Sequence, residues 1–369
     1  MQIDTQLPAG NIILERIEGD DIWLRPDQRG GTHWWFYWAF RLLNAAGRRI
    51  RVHFTDHEPV GTRGPAISSD HGANWHWLDR DFTSSGFEYS VPAGQNEVWF
   101  ALGMVYTERD WRAFVAESGL CHRVLTQSNG GREVELLEIG APEAARSVVV
   151  TARHHCCEMM ASYALEGMVQ ALVTADTAAL RQLKEQVRFY FIPFADKDGV
   201  ELGDQGKLRL PHDHNRDYIA GIYAETRAIA QLCRSLAEAG RLTAFFDLHC
   251  PWIRGEWNEH IYLVGSAVPA NWEEQQRFGG ILERLRSGEL PYAQADNLPF
   301  GQSWNKVIPT DYQTACGFAV SQPGIRLATA IEIPYATVKE AEVNRTTARA
   351  FGRDLALALA EYLGAASQA

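Results

Sequence analysis

The texture of the chain changes near residue 119, and that change limits the fold more than any other feature. Before it come short segments of alternating polarity: IILERI (12–17), DIWLRP (21–26), THWWFYWAF (32–40), RRIRVHF (48–54) and NEVWFALG (96–103). Glycine, proline and Asp/Ser clusters separate them, a spacing that predicts an antiparallel β-sandwich over residues 1–118. After it, continuous apolar runs alternate with helical patterns. SVVVTA (147–152), VRFYFIPF (187–194), TAFFDLH (243–249), HIYLVG (260–265) and RLATAIEI (326–333) read as buried strands. Helices are expected from Glu158 to about Val173, over TAALRQLKEQ (177–186), and near 221–238, 271–287 and 339–363. Apolar strands between helices imply a mixed, mostly parallel sheet covered on both faces over residues 119–369, with its site at the carboxyl ends of the strands.

Eight of the 12 tryptophans precede residue 120. They could form a ligand platform such as a glycan-binding strip, but core and interdomain packing is the plainer reading, because aromatic side chains dominate the buried area of small sandwiches. With 46 acidic against 35 basic residues the net charge is -11, which argues against nonspecific binding to nucleic acid or anionic membrane. No stretch approaches the roughly 20 apolar residues of a membrane span, and the N-terminus lacks the pattern of a secretory signal, so a cytoplasmic location is expected. The cysteines at 121, 156, 157, 233, 250 and 316 show no C-x-x-C spacing and read as reduced residues in the core or near the site.

Three segments place polar groups at the end of an apolar strand. In ARHHCCE (152–158), His155 and Glu158 form an H-x-x-E pair that can offer two ligands to one divalent ion. Alone this signal is weak, since His53 with Asp56, His76 with Asp79 and His214 with Asp217 show that such spacing also arises by chance. In FFDLHC, His249 ends a strand; it could complete a zinc site with an open position, or be a core histidine bonded to the backbone. In ATAIEIPYA, Glu332 could be a general base, or a strand-end carboxylate facing solvent. Between them lies the polar loop 194–218, long enough to suggest a function. In it Asn215 and Arg216 could grip a carboxylate, and Asp213 could hold the free ring nitrogen of a ligating histidine.

Taken in order, these motifs resemble the M14 zinc metallocarboxypeptidases, and most closely the cytosolic carboxypeptidase subfamily. The pattern A-R-x-H-x-x-E falls on Ala152 to Glu158, D-G-V on Asp198 to Val200, D-x-N-R on Asp213 to Arg216 and D-L-H on Asp247 to His249. An N-terminal sandwich and a junction segment like YTERDW (106–111) extend the resemblance over nearly the whole chain. The chain departs from the family at Asp196-Lys197-Asp198-Gly199, where N-P-D-G is usual, and at Cys156-Cys157, where P-G is usual. The resemblance implies that His155, Glu158 and His249 bind one zinc ion and that Glu332 is the general base and acid. It further implies that Asn215 and Arg216 anchor a terminal carboxylate, that Arg209, or alternatively Lys207, stabilises the oxyanion, and that Tyr312 lies near the terminal-residue pocket.

The expected reaction is zinc-assisted removal of a C-terminal amino acid from a peptide or protein. A preference for acidic tails would require a basic lining, for which Arg254, Arg326 and Lys306 are candidates. Two other readings use the same residues: an N-acyl amino acid deacylase similar to aspartoacylase and succinylglutamate desuccinylase, and a noncatalytic binding protein that keeps the fold.

Overall fold

A computed structural model describes residues 1–307 and 310–364. Residues 2–101 form two five-stranded sheets. One runs in the order Gln2–Asp4, Ala39–Leu43, Glu97–Ala101, Ala66–Ser68, His76–Trp77, and the other Ile13–Glu18, Asp21–Arg25, Arg49–Phe54, Gly86–Ser90, Phe82–Thr83. The sandwich is antiparallel except at one pair, since Asp21–Arg25 and Arg49–Phe54 run parallel. Trp38, Trp75, Trp77, Trp99 and Trp111 are buried, while Trp23, Trp34 and Trp35 are half-buried, so the tryptophans before residue 120 serve mainly as core.

The second half is built on a seven-stranded sheet ordered Arg123–Gln127, Glu133–Ile139, Val187–Ile192, Arg146–Ala152, Leu242–His249, Leu327–Glu332, Tyr262–Val264. The four strands from Val187–Ile192 to Leu327–Glu332 are mutually parallel, and antiparallel strands complete both margins. The valine run 148–150 and Phe245–Phe246 are fully buried because helices cover both faces. On one face Met159–Thr174 packs against Arg345–Gly364. The axes approach so closely that a Cβ on Gly167 would lie 2.0 Å from the Arg349 carbonyl oxygen, and one on Gly352 would lie 2.0 Å from that of Ala164. This final helix begins at Arg345 rather than near 339, because Thr337–Val338 and Ala341–Glu342 pair as a small hairpin.

One apolar core runs from Ile3 in the sandwich to Leu363 in the last helix. Helix Glu108–Glu117 joins the halves, started by a capping box of Thr107 and Asp110. The sandwich also grips the loop before Arg216. Gln205 is buried and bonds the Tyr37 N–H (2.8 Å), the Tyr37 carbonyl (2.8 Å) and the Asp27 carbonyl (3.0 Å). The Asn11 amide donates to the Gly203 carbonyl (2.8 Å), and the Leu210 N–H donates to the Gly30 carbonyl (2.7 Å). All six cysteines are free. Among the described residues no helix is long and apolar enough to cross a membrane.

Candidate metal centre and substrate cavity

Register brings the candidate residues together. In the parallel ladder Ala152 pairs with Leu248, and His249 pairs with Glu332, so the strand ends that precede His155 and carry His249 and Glu332 are neighbours. Arg153 turns the chain out of its strand with a φ of 65°. Its buried guanidinium donates to the carbonyls of Cys156 and Tyr106 (2.9 Å) and to Ser162 (3.1 Å), which fixes the turn that delivers His155 and Glu158. The arginine of this motif is therefore a brace.

His155, Glu158 and His249 are all buried, and their donor atoms lie within 4.8 Å of one another. The two Nδ1 atoms are 3.1 Å apart, and each lies 2.8 Å from a Glu158 oxygen. The outer nitrogens face carboxylates: His249 Nε2 is 2.6 Å from Asp247, and His155 Nε2 is 3.7 Å from Asp213. With each Nε2–H turned to its carboxylate, both Nδ1 atoms present lone pairs to one another and to Glu158. Three acceptors then converge with no donor among them, which suits a divalent cation. Burial opposes charge here, yet the flanking histidines hold the Glu158 carboxyl below its usual range, and Asp247 and Glu158 raise His249 well above the imidazole value, so without a cation a proton on His249 Nδ1 is shared with Glu158 in the place a divalent cation would take.

His154, Asp247 and His249 form a second cluster of suitable geometry. It is satisfied internally: Asp247 accepts from Thr151 (2.8 Å) and pairs with His154 Nδ1 (2.7 Å), whose Nε2 meets the Tyr218 hydroxyl (2.8 Å). This chain of groups holds His249 from behind, and sequence reasoning did not single out Asp247, His154 or Tyr218 for that role. The two-residue period of a strand was the available signal, since it puts Asp247 on the same face as His249.

A cavity of about 760 Å³ opens in front of His155, His249 and Glu332. Glu332 is buried, its Oε2 has no hydrogen-bond partner, and burial raises its pKa. Lys207, Asn215, Arg216 and Tyr312 also line this space. Asn215 accepts from the Ala315 N–H (2.9 Å), and Arg216 pairs with Asp213 and lies over the Tyr312 ring at 5.3 Å. Thus Asp213 holds Arg216 with one oxygen and turns the other toward His155 at 3.7 Å.

Arg209 is the exception. Its guanidinium is bound to Asp196 and to Asp204 (2.9 Å), and it does not line the cavity. Asp196, at the first position of the altered N-P-D-G segment, supplies the partner that draws Arg209 away. Lys207 lines the cavity instead, and Gly206 before it passes so near the candidate ligands that a Cβ there would lie 2.9 Å from His155 Cβ. The Cys156 thiol donates to the Asp204 carbonyl (3.2 Å), so the unusual cysteine pair supports this loop. Arg254 is paired with Glu58, Arg326 lies 3.7 Å from Glu274, and neither they nor Lys306 line the cavity.

Residues 110–233 match the sequence profile of the family described as zinc carboxypeptidase. This stretch, about a third of the chain, is similar to a zinc carboxypeptidase domain. Curated relatives of this domain include Uncharacterized protein ZMO1242 of Zymomonas mobilis, 25% identical over 72% of this chain and 70% of its own length. Cytosolic carboxypeptidase 6 of Caenorhabditis elegans is 26% identical over 75% of this chain, which spans 65% of that protein. Human cytosolic carboxypeptidase 4 is matched over 18% of its length. The metallo-carboxypeptidase of Burkholderia cenocepacia superimposes with a TM-score of 0.80 at 22% identity, covering 99% of each chain. The metallo-carboxypeptidase of Pseudomonas aeruginosa, solved with (2-guanidinoethylmercapto)succinic acid, gives 0.79 at 20% identity over 99% of each chain. The fold shared with these two structures therefore includes the sandwich as well as the sheet.

Proposed function

We propose that this protein is a zinc-dependent carboxypeptidase that removes the last residue of a peptide or protein, with a sandwich of residues 1–118 and a catalytic domain of residues 119–369. One observation carries the reading: the ligand atoms of two histidines and a glutamate converge within 4.8 Å of one another, while a buried carboxyl with an unpartnered oxygen, Glu332, stands beside them at the end of the next strand. His155, Glu158 and His249 would hold a single ion. A bound zinc ion supplies Lewis acidity that lowers the pKa of a water to about 7 and polarises a carbonyl.

The rest is the work of the chain's own groups. The Glu332 carboxylate accepts the proton of the attacking water and passes it to the departing amine, a role helped by the upward pKa shift that burial causes. Lys207 faces the cavity and stabilises negative charge on the carbonyl oxygen, the part the resemblance gave first to Arg209. Arg216 and Asn215 hold the free carboxylate so that attack is nearly intramolecular, and Tyr312 packs over Arg216 at the cavity wall. Asp213 and Asp247 orient the two histidines.

A release assay tests this. Zinc-loaded protein is offered blocked dipeptides with a free C-terminus, the same peptides amidated, and N-acyl amino acids. The proposal expects release from the free acids alone. Selective hydrolysis of N-acyl amino acids would assign the site to a deacylase, and zinc uptake without any turnover would leave a binding protein.

A further inference from the structure

Resting on the carboxypeptidase reading above, we infer that the pocket beyond Arg216 selects a C-terminal residue with an uncharged, apolar side chain and rejects the acidic tails that the family resemblance raised. The geometry fixes both ends of a bound terminal residue, its carboxylate at Asn215 and Arg216 and its scissile carbonyl at the metal ligands. The side chain is left to the wall made by strand Leu327–Glu332 and helix Ala315–Val320. Strand periodicity sets Ala328 and Ala330 on the same face as Glu332, so two methyl groups form the floor and leave room above it. Along the helix, Cys316 and Val320 are four residues apart and share a face with Gly317, adding a thiol, an isopropyl group and a gap.

Among the described residues that wall carries no lysine, arginine or histidine to receive a carboxylate. The Asn271 and Gln275 amides beside it are buried, and both are already bonded. Asn271 donates to the Ala328 carbonyl (2.9 Å) and accepts from its N–H (2.8 Å). Gln275 donates to the carbonyls of Val264 (3.0 Å) and Ala328 (3.1 Å) and accepts from the Ser266 N–H (2.8 Å). Among the described residues the cavity has two lysine or arginine side chains, Lys207 and Arg216. Arg216 is engaged by Asp213 and by the substrate's own terminus. Lys207 stands on the sandwich side, 5.7 Å from the Trp35 ring. The Asp247 carboxylate, which also lines the cavity, has the wrong sign for an acidic residue. An aspartate or glutamate side chain would therefore be desolvated without a partner, whereas an aliphatic one exchanges water for methyl groups.

The experiment uses zinc-loaded, full-length protein and blocked dipeptides that differ only in the last residue. Leucine, valine or methionine is expected to exceed glutamate and aspartate in kcat/KM by about 100-fold, the scale of leaving a charged group unpaired. Glutamate-ended peptides cleaved as well as leucine-ended ones would overturn the inference while leaving the carboxypeptidase reading intact. Failure to cleave any member of the panel would overturn that reading, and the inference with it. Val320→Arg supplies a second arm: the leucine-to-glutamate ratio should fall by about tenfold or more, because a cation now faces the side chain. A ratio unchanged in a variant with normal zinc content would show that the side chain binds elsewhere.

Discussion

Across the cavity, the wall formed by the ends of strands Arg146–Ala152 and Leu242–His249 is dense in paired charge, while the wall of Ala315–Val320 and Ala328–Ala330 carries none. On the first wall each functional group is held by another. Asp247 and Asp213 face the histidines, Asp213 also holds Arg216, and Thr151 with His154 holds Asp247. On the second wall shape and the lack of donors do the selecting. The difference separates two tasks: positioning reacting atoms needs directional bonds, whereas choosing an aliphatic side chain needs space and dryness.

The largest effect expected is on the charged wall. His155→Ala should lose the metal and with it turnover, as metal analysis and a release assay would show together; full occupancy in that variant would mean the ligand set is wrong. Glu332→Gln should lower kcat by about 100-fold to 10,000-fold with zinc retained, because its part is proton transfer. Loss of the metal in Glu332→Gln would put Glu332 among the ligands. Arg216→Ala is expected to reduce kcat/KM for free-acid peptides by about 100-fold with zinc content unchanged, as a release assay and metal analysis would show; an undiminished rate would remove Arg216 as the anchor. Asp247→Asn should weaken zinc binding by about 10-fold to 100-fold in a competition titration, since the amide no longer orients His249 as a carboxylate does.

The smallest effect concerns the layer behind the anchoring turn. Glu225 lies 3.9 Å from His214, and burial raises its carboxyl to about 7 from 4.5. A raised folded-state pKa means that its contribution is present below about 4.5 and is lost as the pH rises through about 7. Glu225→Gln should thus raise the melting temperature relative to the native chain by a few degrees at pH 8, with little change at pH 4, in paired thermal melts. Equal shifts at both pH values would show that the carboxyl does not titrate in that window.

These two walls were not equally legible in the sequence. The convergence of His155, Glu158, His249 and Glu332 could be read because polar residues at the ends of apolar runs are costly unless used, and because parallel strands bring their carboxyl ends together. The expected antiparallel sandwich and mostly parallel sheet were legible for the same reason, since burial on one face or two leaves different periods. Arg209 misled because spacing along a loop says nothing about an acid elsewhere that captures the side chain, here Asp196 and Asp204. The apolar wall was silent. Alanine, glycine and valine carry no chemical signal, and their meaning comes from facing Arg216 across an open space.

The most direct test is anomalous diffraction at the zinc edge from crystals of the zinc-loaded protein. A single peak should lie between the Nδ1 atoms of His155 and His249 and the carboxylate of Glu158. A peak among His154, Asp247 and His249 instead, or one clear of Glu158, would contradict the assignment of the centre and the chemistry built on it.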